Sequence, residues 1–254
     1  PIDPEILYSD FNYCFSTWKA QPHADDEVAN IRSHIGNWKP ASAFEIGCND
    51  GFFLEALQRG GFSTVVGLEP NPIAEAMAHE KGFRVFGGML DDKLCQSAVE
   101  EFGRFDVVVS RQVLEHLPDV ENYFKCAHKL LSDEGFLFTD IPDFDVALKA
   151  RDCSMVWEEH VNYFTYQVFH SALLRFGFEP VSVKRYNFSG GIIAVMARKL
   201  SNTANLPAPA PELSTKVSGW NHEVLDYGRL LANSISSHRD EGYQIVLYGA
   251  GSRA

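Results

Sequence analysis

Short apolar runs alternate with helical patterns between residues 43 and 143, and this alternation constrains the fold more than any other feature of the sequence. The runs are "AFEIG", "TVVGLEP", "RVFGG", "FDVVVS" and "FLFTDIPD". Between them, apolar residues recur every three or four positions, which is typical of amphipathic helices. Strands that alternate with helices are joined by right-handed crossovers, so the pattern predicts a parallel sheet covered by helices on both faces.

The edges of this region carry two further predictions. The helix before the fifth run is predicted to cover "DVENYFKCAHKLLSDEG", residues 119 to 135. After a helix in "YQVFHSALLRFGF", the segments "PVSVKRYNF" and "GGIIAVMARK" predict two strands joined by a glycine-containing turn. Such a hairpin adds one antiparallel strand at the edge of the sheet. The predicted fold class is therefore α/β, with a seven-stranded, mostly parallel sheet and a terminal antiparallel hairpin.

Changes in composition predict four segments. Residues 1–27 form an aromatic-rich lead-in, and residues 28–199 form the main domain. Residues 200–212 contain "SNTANLPAPAPE", a Pro/Ala linker. Residues 213–254 hold a long helical pattern followed by "YQIVLYGAGSRA", which reads as the first strand and glycine turn of a truncated C-terminal domain. The chain starts without Met and stops within this motif, so we expect it to be part of a longer protein.

The charge and the cysteines exclude several classes of function. The net charge is -12, with 34 acidic and 22 basic residues, which argues against nucleic acid or an anionic membrane as a partner. The five cysteines show no CxxC spacing, so we expect no zinc or other metal site. Unpatterned cysteines without a signal peptide indicate reduced thiols and a cytoplasmic location. No apolar run approaches the roughly 20 residues of a membrane helix. The oligomeric state is not predicted.

The turn in "EIGCNDGFF" is a candidate ligand site. A glycine turn between a strand and a helix lets backbone N–H groups approach a ligand. Here the spacing is Glu45-x-Gly47-x-Asn49-x-Gly51, and the glycines can adopt positive φ. Glu45 and the neighbouring Asp50 bring negative charge, which would repel a pyrophosphate and attract a cation. The turn is therefore predicted to bind a positively charged ligand.

Glu69 supplies the second half of this prediction. It ends the next strand, 18 residues after Gly51, followed by Pro70. A carboxylate at that strand tip can accept hydrogen bonds from two ribose hydroxyls. An adenosine that carries a cationic amino acid satisfies both features, and that molecule is S-adenosylmethionine. A structural glycine turn with a surface glutamate is the alternative.

Two more segments follow strand ends and belong to the same pocket by topology. "FGGML" contains Met89, which we expect near the adenine. "SRQVLEHLPD" contains Ser110, Arg111 and Gln112, which we expect to line the adenine and methionine portions. His116, in the same segment, is either catalytic or a helix cap.

At this point the chain resembles class I S-adenosylmethionine-dependent methyltransferases over about residues 28 to 199. The resemblance implies a Rossmann-like fold. "EIGCNDGF", with Asn49 where glycine is usual, is similar to a narrower group, the nucleotide-sugar C-methyltransferases. "GLEPN", "EEHVNYFT" and "VLYGAGSRA" carry the same resemblance. It implies a small zinc-binding domain before this chain and a Rossmann-like domain after it, both largely absent here.

The loop "WEEHVNYFT" is the candidate catalytic segment. Methylation of carbon requires removal of a proton next to a carbonyl, for which an imidazole is well suited. His160 is the candidate base, and Glu159 the carboxylate that orients it. The resemblance supports this Glu-His pair and the aromatic Tyr163. It also implies a tyrosine at Trp157, where indole can only donate, so Tyr13 in the lead-in is a possible substitute near the sugar.

The predicted function is C-methylation of a nucleotide-linked keto-deoxysugar, a small-molecule substrate of deoxysugar biosynthesis. An O- or N-methyltransferase acting on another small molecule is a close alternative. A non-catalytic module that binds S-adenosylmethionine is a second. An NAD-dependent oxidoreductase is a third, since Gly249-x-Gly251-x-x-Ala254 matches a dinucleotide fingerprint, although no helix follows it.

Overall fold

The computed structural model describes residues 21–35, 41–156, 159–200 and 212–246, without the side chains of residues 212–217. The strands are β1 (Ala41–Ile46), β2 (Phe62–Glu69), β3 (Arg84–Gly87), β4 (Phe105–Arg111), β5 (Leu131–Pro142), β6 (Phe178–Tyr186) and β7 (Ile192–Lys199). The helices are α1 (Ala24–Ile35), α2 (Phe52–Arg59), α3 (Pro72–Glu80), α4 (Asp92–Phe102), α5 (Val120–Leu130), α6 (Phe144–Ala150), α7 (Tyr166–Arg175) and α8 (Glu212–Asp240). Single 3-10 turns lie at Leu114–His116 and Cys153–Met155.

The seven strands form one sheet in the order β3-β2-β1-β4-β5-β7-β6. All neighbours from β3 to β5 are parallel, whereas β7 is antiparallel to both β5 and β6. The predicted fold class is therefore confirmed. One detail differs from the prediction, because the antiparallel strand β7 lies one position in from the edge and β6 forms the edge. The reason is burial: β7 is buried from Ile192 to Ala197, and an inner position covers such a run.

The helix predicted over residues 119 to 135 is shorter in the structure. It ends at Leu130, and the five residues from Leu131 to Gly135 belong to β5. Strand pairing decides the boundary, since Leu131 is buried and pairs with Phe105 of β4. In addition, the ammonium of Lys199 donates to the carbonyls of His128 and Leu131, both at 2.9 Å, and so satisfies groups that the helix end leaves open.

The two faces of the sheet have different helices and different residues. One face packs against α1 and α2, and the other packs against α4, α5 and α7. Because side chains alternate along a strand, Val109 of β4 faces the α1 layer and Val108 faces the α5 layer. By the same alternation, Arg111 points toward α1 and Ser110 toward α5. This alternation places their side chains on opposite sides of the sheet.

The described residues fall into two compact units. The sheet with α1 to α5 and α7 forms the first unit, and α6, the Cys153–Met155 turn and α8 form the second. The predicted segment boundaries stay predictions. None of the helices in the described ranges is long and apolar enough to cross a membrane.

Candidate active site

Buried charged side chains gather at the carboxyl-terminal edge of the parallel strands. Glu45 is next to last in β1, Glu69 ends β2, Arg111 ends β4, and Asp140 lies near the end of β5. All four are at most 4% exposed. Ligands bind outside this edge in open α/β sheets.

The turn after β1 adopts the conformation that its sequence predicts. Gly47, Asn49 and Gly51 have φ values of 71°, 50° and 79°. The N–H groups of Gly47 and Cys48 both donate to the carbonyl of Leu68, at 2.8 and 3.0 Å, so the turn is fixed against β2. A Cβ atom on Gly47 would lie 2.5 Å from Cγ2 of Val113. Glycine is therefore required at position 47 both by backbone conformation and by space.

Glu69 holds two turns together. One carboxylate oxygen accepts the N–H of Asn49 at 2.8 Å, and the other accepts the N–H of Asn71 at 2.9 Å. Pro70, between Glu69 and Asn71 in the sequence, is half-buried. Burial raises the pKa of Glu69 to about 7, and these two bonds limit the rise. Each carboxylate oxygen has a second lone pair. The group can thus organise the turn and still accept hydrogen bonds from a ligand.

Glu45 is the most isolated carboxyl group of the edge. It is 2% exposed, and its Oε2 has no hydrogen-bond partner among the described residues. Burial raises the pKa of Glu45 to about 8; Arg111 opposes the rise, and Asp140 and Glu69 add to it. A buried carboxyl with an open oxygen and an excess of negative neighbours favours a cationic ligand.

Arg111 is the centre of a buried network beneath α1. Its guanidinium donates to Glu27 at 2.9 Å and to Gln21 at 2.8 Å, and it lies 3.4 Å from Asp140. The same group lies over the ring of Phe53, 4.3 Å from its centroid. The side chain of Arg111 is thus occupied within the protein, and its backbone is what remains for a ligand.

Glu27, Asp140 and His23 were not among the predicted site residues. Burial raises the pKa of both carboxyl groups, against the effect of Arg111. Burial lowers the pKa of His23 to about 4, and the positive charge of Arg111 is the second, smaller cause. Two signals in the sequence could have found the carboxyl groups. Glu27 lies four residues before Ile31 on the apolar face of α1, and Asp140 interrupts an apolar strand.

The remaining predicted cofactor residues lie near the ends of β3 and β4. The Ser110 hydroxyl lies 2.6 Å from that of Tyr123, which lies 2.7 Å from that of Thr139, in a buried cluster. Gln112 has φ 52°, and its N–H donates to Oδ1 of Asp140 at 2.7 Å. Met89 is half-buried, between β3 and α4.

The loop of His160 is fixed to the segment that follows β4. The N–H groups of Val161 and Asn162 donate to the carbonyl of Glu115 at 2.9 and 3.0 Å. The Asn162 side chain donates to the carbonyls of Leu114 and Leu117 at 3.2 and 2.6 Å. These bonds fix where the loop lies relative to the strand edge.

The predicted base, His160, is 9% exposed. The imidazole of His160 contacts the imidazole of His116 edge to face, with ring centroids 4.8 Å apart. The Tyr163 hydroxyl donates to the backbone carbonyl of His160 at 2.9 Å. Nδ1 of His116 lies 3.1 Å from the carbonyl of Glu159, and burial lowers the pKa of His116. His116 is therefore a packed, neutral imidazole beside the candidate base. Tyr13 and Trp157 lie outside the described residues.

Residues 110–117 join the two predicted groups. Val113 packs against Gly47 in the glycine turn, and Leu114 to Leu117 hold the loop of His160. The structure thus brings the candidate cofactor turn and the candidate base to one segment.

Among the described residues, two clusters have side chains spaced closely enough to surround a cation. The first cluster contains His23, Glu27 and Asp140, and the second contains Glu115, His116 and His160. Within each cluster the possible ligand atoms lie within 4.8 Å of one another. The first already contains a cation, because Arg111 contacts both of its carboxyl groups. The absence of a metal site stays a prediction.

Comparisons with known proteins agree with this architecture. A family model described as "Methyltransferase domain" matches residues 21–183. The C-methyltransferase NovU of Streptomyces niveus is 24% identical over 197 residues, which cover 77% of this chain and 47% of that protein. The mitochondrial ubiquinone biosynthesis O-methyltransferase of Homo sapiens is 33% identical over 120 residues, 43% of this chain and 32% of that protein. The chain thus spans about half or less of these curated relatives.

Solved structures share the fold. The 1,6-didemethyltoxoflavin-N1-methyltransferase of Burkholderia thailandensis, solved with S-adenosylhomocysteine, gives a TM-score of 0.53 at 20% identity, over 72% of this chain and 81% of that one. An S-adenosylmethionine-dependent methyltransferase of Mesorhizobium loti gives a TM-score of 0.50 at 17% identity, over 67% of this chain and 96% of that one.

Proposed function

The chain belongs to the methyltransferase-domain family, whose fold here is that of S-adenosylmethionine-dependent enzymes, and we propose that it methylates a carbon atom of a nucleotide-linked keto-deoxysugar. The observation that carries the proposal is the position of His160. Its nearly buried imidazole lies on a loop whose backbone is hydrogen-bonded to the segment that packs on the glycine turn. The likeness to NovU, a C-methyltransferase, supports the same reaction.

The residues present fit S-adenosylmethionine. Its ammonium and sulfonium are cationic, and Glu45 offers a buried oxygen without a partner in the described part of the chain. The backbone at Gly47 is open to close approach because no Cβ covers it. The residues proposed to hold the cofactor are Glu45, Gly47, Asn49, Gly51, Glu69, Pro70, Met89, Ser110, Arg111 and Gln112. The residues from Glu45 to Glu69 in this list would bind it at the glycine turn and at the ends of β1 and β2. Ser110 and Arg111 would bind it through their backbone.

Bound S-adenosylmethionine supplies an electrophilic methyl group and departs as a neutral thioether. His160 takes the proton from the substrate carbon next to the keto group. The electron pair of that C–H bond becomes the C=C bond of an enolate, while the carbonyl π pair moves to oxygen. At that carbon S-adenosylmethionine, held by the residues named above, would supply the methyl group, with the S–C bond pair staying on sulfur while the carbonyl re-forms. Glu159 is proposed to orient the imidazole, and Tyr13 or Tyr163 to contact the sugar.

Hydrogen exchange at the substrate carbon tests the proposal without the cofactor. The whole chain is mixed with a nucleoside-diphosphate keto-deoxyhexose in deuterated water, and mass spectrometry follows uptake of deuterium. We expect uptake by the parent chain and a loss of about 10²-fold or more in His160→Asn. His128→Asn is the matched control, since His128 lies in α5 and contacts the carbonyl of Phe176. Absence of exchange in the parent chain contradicts C-methylation.

A second candidate is O-methylation of a small molecule. The likeness to ubiquinone biosynthesis O-methyltransferases favours it, at 33% identity for the human protein. In that reaction the nucleophile is a hydroxyl group, so no carbon-bound hydrogen exchanges. Methylated product without deuterium uptake would therefore assign the chain to this class. Cofactor binding in calorimetry without any product would instead indicate a non-catalytic binding module.

A further inference from the structure

Glu115 is a buried carboxyl group to which the sequence assigns no role. It is 2% exposed, and its Oε2 has no hydrogen-bond partner among the described residues. Its carboxylate and the ring nitrogens of His116 and His160 offer atoms within 4.8 Å of one another. A buried polar atom without a partner is costly, so its retention beside a candidate base calls for an explanation.

The backbone fixes this arrangement. The carbonyl of Glu115 itself accepts the N–H groups of Val161 and Asn162, the two residues that follow His160. The Asn162 side chain donates two further hydrogen bonds, to the carbonyls of Leu114 and Leu117, which lie on either side of Glu115 in the sequence. The carboxyl group of Glu115 and the imidazole of His160 are thus carried on two backbones that are bonded to each other.

The groups around Glu115 are arranged to accept a proton. Nδ1 of His116 must donate to the carbonyl of Glu159, so Nε2 of the neutral ring is an acceptor, 4.0 Å from Oε1 of Glu115. The charge of Asp140 in β5 acts on this carboxyl group, and the carboxyl group in turn acts on the hydroxyl of Tyr123 in α5. Burial raises the pKa of Glu115 well above its ordinary value, and Asp140 adds to the rise. A carboxylate with a raised pKa binds a proton more tightly than an exposed one, so the ionised form of Glu115 is suited to accept a proton from a protonated imidazole.

We propose that Glu115 is a second carboxylate partner of His160, beside Glu159, and that it receives the proton that His160 takes from the substrate carbon. This inference rests on the proposed function and adds a residue to it. The proton moves from carbon to a ring nitrogen of His160 and on to a carboxylate oxygen of Glu115, and solvent removes it after product release. Glu115 and His160 then act as one coupled base, with a joint titration rather than two separate ones.

Glu115→Gln tests the proposal, because the amide keeps the shape and cannot hold the proton. We expect exchange of the substrate hydrogen to fall by about 10²-fold or more, with a changed pH profile. The matched control is Asp106→Asn, at the opposite end of β4, where the carboxylate bonds Ser42. Parent-like exchange in Glu115→Gln would overturn the proposal.

A titration without substrate separates this proposal from the proposed function. In the NMR spectrum of histidine-labelled protein, the midpoint of the His160 titration should move to lower pH in Glu115→Gln, since a nearby carboxylate favours the charged ring. An unmoved midpoint would overturn the partnership even where exchange occurs. Chelation of divalent metals should leave exchange unchanged. A loss restored by Mg²⁺ would instead assign the three side chains to a metal ion and would also overturn the proposal.

Discussion

Glu69, the last residue of β2, accepts a hydrogen bond at 2.8 Å from the backbone N–H of Asn49, in the turn after β1. Its other oxygen accepts the N–H of Asn71, which in turn caps α3 by accepting the N–H groups of Ile73 and Ala74. One buried carboxylate therefore sets the conformation of two turns at the strand edge.

Replacement of Glu69 by alanine should destabilise the protein by about 2 to 5 kcal/mol, because two N–H groups lose their acceptor. Glu69→Gln keeps one carbonyl acceptor and should cost less. Denaturant unfolding followed by circular dichroism measures both. Glu134→Ala, at an exposed carboxyl group, is the control and should lie within about 0.5 kcal/mol of the parent chain. Equal stability of Glu69→Ala and the parent would contradict the structural role.

Gly47→Ala should lose about 1 to 3 kcal/mol of stability and most of its affinity for S-adenosylmethionine. The new Cβ meets Val113 at 2.5 Å, in a backbone conformation that alanine disfavours. Calorimetry and thermal unfolding measure the two effects. Gly61→Ala, with φ 86° and open space around it, isolates the backbone strain from the clash.

The clash can be relieved separately. Val113→Ala combined with Gly47→Ala should recover part of the lost stability, since the contacting methyl group is removed. A double variant no more stable than Gly47→Ala alone would show that the backbone conformation accounts for the whole effect.

The stability of the ligand-free protein should fall as pH rises from about 5 to about 9. Glu45 and Glu69 have pKa values of about 8 and about 7 in the folded state, above the ordinary value of 4.5. The folded state therefore binds more protons than the unfolded state in this range. The stability these groups contribute is fully present below pH 4.5 and is lost as pH rises through 7 and 8.

Thermal unfolding at several pH values measures this slope. The double variant Glu45→Gln, Glu69→Gln should reduce it, and S-adenosylmethionine should stabilise the parent chain more at pH 8 than at pH 6, because ionised carboxylates favour a cation. A slope unchanged by the double variant would place the titration in other groups.

Arg111→Met should destabilise the protein by about 3 to 5 kcal/mol, because it leaves Glu27 and Asp140 buried without their cation. Adding Glu27→Leu should restore about 1 to 3 kcal/mol, since it removes one of those charges. Denaturant unfolding checks both. Arg104→Met is the control, at an exposed pair with Asp133, and should cost at most about 1 kcal/mol. A double variant less stable than Arg111→Met would contradict the coupling.

Local sequence patterns predicted most of the elements, and tertiary pairing decided those that were mispredicted. The glycine turn was predicted well, because positive φ at Gly47 and Gly51 is a property of the residues themselves. The end of α5 was not, because Leu131 has a helical spacing and is drawn into β5 by its partner Phe105. The inner position of β7 likewise depends on its pairing with β5, a strand about 50 residues earlier in the sequence, as well as with its neighbour β6.

The candidate site divides in the same way. The sequence alone pointed to Glu45, Glu69 and His160, since the two glutamates lie at the ends of recognisable strands and His160 lies in a loop rich in titratable groups. It gave no role to Glu115, because nothing near residue 115 indicates that the loop of His160 will bond to its backbone.

By itself the sequence determined an alternating α/β sheet and a cation-favouring turn, because periodicity and glycine conformation act over a few residues. Only the tertiary structure decided which carboxyl groups are buried together, and hence which have raised pKa values. Burial and charge coupling depend on side chains that the fold brings together across the sheet, as it brings Glu27 of α1 to Arg111 of β4.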